Sequence, residues 1–486
     1  MASADRRRAL ALLACTQFVL LLDTSIINVA APSIGESLDI SPAALSWVAN
    51  AYLVSFGGLL LLSGRAADLL GQRAVFAAGL GVLSAASLLG ALSDSAALLI
   101  TARAVQGVGA AMAGAAAFAL VLTLFEGGPE RHRALGVFAA MAGAGGAAGT
   151  VLGGVLTSWL GWESTFVLNV LAGAALLLPV PRLLPSGTSR AADRSAAPAG
   201  RGFDVPGAVT VTAGLGLLAF AVVNAGEAGW NSTPTLATGA AAVLLLAAFV
   251  LIERRVPHPL VPLAVLARPT LRLANVLAAL WQVSLFPMFF LVSLYLQAVL
   301  GYEPVLGGLA LLPLCLVVIT VASLTDRLIG RFGLRAVMGA GFALVAVGMA
   351  WQSLLSADGS FVTDVLPPSL VLGVALPLVS ITANVAATLD TREEEAGLAS
   401  GLVNTSLQFG SVIGLAVLSG VAAARTDASS AAHDVALTEG FGTALLIGAV
   451  PAVVALLLTF RLRLPAPDAP APPETVTAAE RRRAVP

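Results

Sequence analysis

Long apolar runs alternate with short polar gaps along almost the whole chain. A helix needs about 20 mostly apolar residues to cross a bilayer. Fourteen runs meet that length or approach it: Ala9–Ala31, Leu45–Ser63, Ala74–Leu92, Ala97–Phe125, Ala134–Leu156, Ser164–Val180, Val205–Asn224, Pro234–Ile252, Leu273–Gln297, Val305–Thr325, Ala336–Ser356, Val365–Leu389, Ala396–Ala422 and Gly440–Phe460. They are continuous rather than alternating, so they predict helices and not the strands of a barrel. The pattern predicts an all-α polytopic membrane protein with 14 transmembrane helices. An even number of crossings returns both termini to one side.

Charge adds the orientation. All 26 basic side chains are arginines, and nearly all fall in alternate gaps. Those gaps hold Arg6–Arg8, Arg65 and Arg73, Arg131 and Arg133, Arg182 to Arg201, Arg254 to Arg272, Arg327 to Arg335, Arg392, and Arg461 onward; Arg425 is the exception. Positive charge marks cytoplasmic loops, so both termini are expected in the cytoplasm and the chain in the inner (plasma) membrane. Composition agrees: 58% of the 486 residues are hydrophobic and 11% charged, against about 25% charged in soluble domains. Arg6–Arg8 ahead of an apolar run resembles a signal peptide, but that run is long and contains Asp23, which fits an uncleaved first span. With no basic stripe, no nucleic-acid partner is expected.

The gaps also suggest a division of the chain. Residues 182–204 form a linker rich in Pro, Ser, Gly and Arg, and 253–272 form a second basic gap. Between them, 205–252 hold two spans that interrupt a six-plus-six layout of 1–181 and 273–460, followed by a cytoplasmic tail, 461–486. An internal echo supports that layout. Gly64 to Arg73 follows the second span, and Asp326 to Arg335 follows the second span of the C-terminal half; both end Gly-x-Arg. Such a repeat is the pattern of a transporter built from parallel repeats, with substrate held between them near the midplane.

Two charges lie inside apolar runs, Asp23 and Arg103. Each costs about 2.5–3.5 kcal/mol at a span centre, so each needs a partner or a wet cavity. Asp23 lies eight residues before the end of its run and Arg103 six residues into its own. At 1.5 Å per residue those depths are about 12 and about 9 Å, close enough to face one cavity. The pair reads either as a fixed structural ion pair or as a proton site whose occupancy follows conformation. The rarity of intramembrane charges without a role favours the second.

Other candidates are weaker. Gln106 and Gly107 follow Arg103 on one helix face. The fifth run holds Gly145, Gly149, Gly153 and Gly154, which serve close packing, or a hinge or seal between halves. Gly64, Asp68, Gly71 and Arg73 read as charge orientation or as a cytoplasmic latch. Gln106, Asn384, Asn404 and Gln408 are candidate lining of a polar, mostly uncharged substrate cavity. The three histidines lie outside the runs without metal spacing, and no P-loop or nucleophile motif is present. No catalytic residue, cofactor, metal or enzyme activity is expected.

At these residues the chain resembles the major facilitator superfamily, specifically its fourteen-helix drug:proton antiporter family. Leu22 to Pro32 is similar to that family's first-helix motif, Gly64 to Arg73 to its loop motif, Arg103 to Gly107 to its fourth-helix motif, and Gly145 to Gly154 to its antiporter motif. The antiporter motif usually carries Gly-Pro where this chain has Gly149-Thr150. The resemblance implies a major facilitator fold of two six-helix bundles plus two extra central helices. It also implies proton-coupled export of hydrophobic or amphipathic small molecules by alternating access, as in multidrug efflux and antibiotic resistance, with Asp23 and Arg103 in proton coupling. The expected partners are a small-molecule substrate, protons and the lipid bilayer, with the protein working as a monomer. The alternative is a proton-driven importer of a nutrient or organic acid.

Overall fold

The computed structural model describes residues 3–40, 42–125, 128–185, 204–229, 231–257, 259–261, 268–388 and 396–462. The long linker at 186–203, part of the second gap and the tail from 463 lie outside these residues. Among the described residues there is no strand, and fourteen helices are long and apolar enough to cross a membrane. A lipid core has no water to satisfy backbone groups, so each crossing closes its own hydrogen bonds as a helix.

The crossings are α1 (Ser3–Leu38), α2 (Pro42–Leu70), α3 (Gln72–Ala91), α4 (Ala96–Leu124), α5 (Gly128–Leu160), α6 (Glu163–Leu177), α7 (Val205–Ala228) and α8 (Thr233–Glu253). The second half follows with α9 (Pro269–Leu294), extended by a π turn at Tyr295–Val299; α10 (Pro304–Phe332); α11 (Leu334–Gln352); α12 (Leu366–Thr388); α13 (Ala396–Asp427); and α14 (His433–Thr459). Several run past the expected ends, α2 to Leu70 and α14 from His433 among them, and two depart at a proline. α1 continues past Ala31 through Pro32 to Leu38, because membrane helices accommodate the amide that proline lacks. α10 is interrupted at Leu311, two residues before Pro313, whose missing N–H and fixed φ favour the start of a new helical segment.

Each half is a bundle of six. α1 packs on α5, α4 on α2 and α3, and α3 on α6; correspondingly, α9 packs on α13 and α14, α11 on α12 and α14, and α10 on α12. The halves meet through α2–α13, α5–α10 and α1–α9. The extra pair lies along one of these seams, with α7 against both α2 and α13, and α8 against α7. In their most apolar stretches, 72% of α2 is buried but only 11% of α8. α8 is therefore an outer helix whose apolar face, Leu244 for example, is left for lipid.

The two echo turns are alike in structure. Gly71 (φ 101°) alone joins α2 to α3, and Gly333 (φ 83°) alone joins α10 to α11. A one-residue turn of this kind needs the positive φ that glycine adopts at little cost.

Candidate functional site

The depths of Asp23 and Arg103 match in the structure. Arg103 Nη1 donates to Asp23 Oδ2 at 2.8 Å, and the two side chains are 1% and 2% exposed. The pair's own polar atoms are held by a network, while the Tyr52 hydroxyl and Asn169 Oδ1 beside it meet no partner among the described residues. Arg103 Nη1 also donates to Gln106 Oε1 at 2.9 Å, and Nε donates to the Val48 carbonyl at 3.0 Å. Gln106 Nε2 donates to Ser87 Oγ at 2.7 Å, and Ser87 in turn donates to the Leu83 carbonyl at 2.7 Å. The second oxygen of Asp23 accepts from Asn169 Nδ2. The Tyr52 ring lies under the guanidinium, 4.4 Å from its centre.

Five helices therefore converge on one ion pair: α1 brings Asp23, α2 Val48 and Tyr52, α3 Ser87, α4 Arg103 and Gln106, and α6 Asn169. A buried pair of this kind is strongly destabilised when one partner is removed, by about 3–5 kcal/mol, because the other charge is left uncompensated. Protonating Asp23 cancels its charge without removing its shape, so it acts on the same linkage chemically. Sequence reasoning placed Asp23, Arg103 and Gln106 but not the roles of Ser87 and Tyr52. Tyr52 carried a usable signal, being one of 3 tyrosines and lying mid-span; buried tyrosine hydroxyls usually need a polar neighbour.

The glycines of α5 hold α1 close. A Cβ on Gly145 would strike the Phe18 carbonyl; on Gly149 it would lie 2.6 Å from the Leu22 carbonyl oxygen, and on Gly153 3.1 Å from Ile26. These three run along α1 across the stretch that carries Asp23. Gly154 faces the other half instead, against Pro304 and Val305 of α10, and Gly308 of α10 meets the Thr150 carbonyl. α5 is continuous through Thr150, whose hydroxyl donates to its own helix at the Ala147 carbonyl, 2.8 Å away.

Of the loop residues, Arg73 is fastened to the backbone. Arg73 Nη1 donates to the Leu184 carbonyl at 3.2 Å, within its own half. Its counterpart Arg335 donates to the Leu462 carbonyl. Each arginine thus ties the start of a third helix to the chain just beyond the sixth. Asp68 is exposed at the end of α2, and no residue crowds Gly64 or Gly71.

The cavity candidates separate. Gln106 is committed to Arg103 and Ser87. Asn384 is exposed and donates to the Ser380 carbonyl on its own helix at 2.8 Å. Asn404 and Gln408 are half-buried on α13, and Gln408 stands against Gly57 of α2, at the seam between the halves. Asn50, on α2 near Tyr52, is fully buried, and its amide meets no partner among the described residues. Asn28 also has a buried amide oxygen without a partner. Among the described residues no group of His, Cys, Asp and Glu could hold a metal ion.

At the end of the bundle away from most arginines, the halves are tied together. Gln297 Nε2 donates to the Val29 carbonyl at 3.0 Å, and the Val305 N–H donates to Ser158 Oγ at 2.9 Å.

Comparison with known proteins agrees with this construction. The chain is 40% identical over 423 residues to the cephamycin export protein of Amycolatopsis lactamdurans, which covers 86% of each chain. It is 36% identical over 463 residues to the puromycin resistance protein of Streptomyces alboniger, covering 94% of this chain and 90% of that one. Among solved structures, an auto-inhibited POT family peptide transporter superposes with a TM-score of 0.66 at 16% identity, over 96% of this chain and 99% of that one. A bacterial homologue of the human lysosomal transporter Spinster, inward-facing and unoccupied, gives 0.65 at 15% identity over 95% and 98%. These two show the shared fold. The family model described as Major Facilitator Superfamily matches residues 13–415, and with relatives this similar over this length, the chain belongs to that superfamily.

Proposed function

We propose that this protein is a proton-coupled exporter of hydrophobic or amphipathic small molecules, working by alternating access between its two six-helix halves. The observation that carries the reading is the buried Asp23–Arg103 pair, held by five helices and pressed against the glycine face of α5. Export rather than uptake is supported by the relatives, one a cephamycin export protein and the other a puromycin resistance protein. The substrate would be neutral or carry a single charge, because Asp23 is the acid placed deep in the halves and it already faces Arg103.

The arginine pattern supports a cytoplasmic location for both termini and for the Gly71 and Gly333 turns. On that orientation the ties Gln297–Val29 and Val305–Ser158 close the outer end. The units would be 1–181 and 273–460, with 205–252 as a membrane-embedded insert. A proton entering from outside neutralises Asp23, Arg103 relaxes onto Gln106 and the Val48 carbonyl, and α1 is released to move against α5. Release of the proton inside restores the pair. Gly145, Gly149 and Gly153 keep the α1–α5 seam too close for water, and the half-buried Asn404 and Gln408 supply uncharged polar groups toward the solute.

The test is drug susceptibility and dye efflux in an efflux-deficient host carrying wild type or Asp23→Asn at equal membrane levels. Protection by wild type that is lost in the variant is expected. Equal protection by both removes Asp23 from the mechanism. Accumulation of solute driven by an inward proton gradient would turn the reading to import.

A further inference from the structure

A second buried acidic site lies at the base of the extra helices, apart from the network around Asp23. Asp204 caps α7, its Oδ1 accepting the Gly207 N–H at 2.8 Å. Glu253 ends α8, its Oε2 accepting the Val261 N–H at 3.0 Å, so it pins the segment that follows the helix. The two residues are 1% and 3% exposed. Each carboxyl therefore commits one oxygen to a backbone amide. The other oxygens, Asp204 Oδ2 and Glu253 Oε1, meet no hydrogen-bond partner among the described residues. The two groups stand within hydrogen-bonding reach of one another.

A carboxylate only accepts hydrogen bonds, so two ionised groups in this contact offer each other no donor and repel. One proton supplies the missing donor and satisfies both oxygens, as in the carboxyl pairs that share a proton at other buried sites. The arrangement does not suit a metal ion. The amides of Gly207 and Val261 point their hydrogens into it, and a cation needs oxygens there instead. The charged groups around it belong to several elements. Arg254 and Arg255 follow Glu253 and are exposed; Arg268 and Arg272 begin α9, half-buried and exposed; Arg65 and Asp68 stand on α2, against which α7 packs.

We propose that Asp204 and Glu253 together bind one proton, and that this proton clamps α7, α8 and the segment at Leu260–Val261 into one unit at the arginine-rich face. Loss of the proton confines two anions side by side and loosens the clamp. The extra helices line the α2–α13 seam, so the site is placed to report proton availability on that face to the seam. It stands independently of the role given to Asp23.

Infrared titration of the full-length protein in lipid nanodiscs tests this, using wild type, Glu253→Gln, Asp204→Asn and Asp23→Asn. At neutral pH the wild type should show a carboxylic-acid carbonyl band. Glu253→Gln and Asp204→Asn should each remove the same part of it, because the remaining acid ionises against its new amide donor, and Asp23→Asn should leave that part in place. Melting followed from mildly acid to alkaline pH is the second readout. The wild-type midpoint should fall as pH rises, with a flatter profile in Glu253→Gln, whose amide keeps donating. The proposal is overturned if neither variant removes any of the band, if only one of them does, or if Glu253→Gln melts with the wild-type pH profile.

Discussion

Replacing Gly149 with alanine tests how α5 holds the helix that carries Asp23. The added Cβ would lie 2.6 Å from the Leu22 carbonyl oxygen and 2.8 Å from Ser25 Cβ. Carbon atoms prefer separations of about 3.5–4.0 Å, so α5 must withdraw by roughly 1 Å. A gap of that size forfeits about a quarter to a half of the dispersion energy of each separated contact, and the loss extends along the seam to Gly145 and Gly153. Overpacking of this kind costs about 1–3 kcal/mol. The better helix propensity of alanine offsets about 1 kcal/mol of it, which leaves a net loss of up to about 2 kcal/mol. Gly143 is the control on the same helix: nothing lies within 4 Å of a Cβ built there, so Gly143→Ala should gain up to about 1 kcal/mol. Melting of the purified variants in one detergent reads the difference, and efflux reads the displacement of Asp23. Gly149→Ala should melt below wild type and export poorly, while Gly143→Ala does neither. If Gly149→Ala melts with or above Gly143→Ala, the seam is not close-packed as argued.

Three further outcomes follow from the geometry. Arg103→Lys keeps the charge but loses the Nε donor to the Val48 carbonyl and the planar fork; melting should drop and efflux should fall well below wild type at equal expression. Tyr52→Phe retains the ring under the guanidinium while Tyr52→Leu removes a contact worth about 0.5–2 kcal/mol, so only the leucine variant should lose that much by melting. Gly71→Ala forces a side chain onto φ 101° and should cost about 1–3 kcal/mol, whereas Gly64→Ala, in open helical surroundings, should melt at or slightly above wild type.

What the sequence made legible was whatever follows from position along a single helix. Apolar length marked the fourteen crossings, and counting residues from the span ends put Asp23 and Arg103 at one height. Contacts among separate helices were legible only where a charge demanded them. Ser87 and Asn169 look like ordinary polar residues in apolar runs until five helices are assembled around Arg103. The glycines of α5 left packing and sealing open, and the structure shows the packing: their missing side chains make room for the backbone of α1. Arg73 read as part of a cytoplasmic latch, and its partner here is the Leu184 carbonyl just beyond α6. That partner is a backbone atom, which carries no sequence signature. Asp204 and Glu253 escaped notice because each sits at a helix end, where a single acid is unremarkable, and only the return of α8 beside α7 brings them together.

The central claim is that protons act on this protein through Asp23. It is tested most directly by adding an exported drug to the purified protein in a weakly buffered solution and following proton release with a pH-sensitive dye. Wild type should release protons in proportion to drug bound, and Asp23→Asn should bind drug with no release. Equal release from both proteins, or drug binding to wild type without any release across the working pH range, would contradict the account.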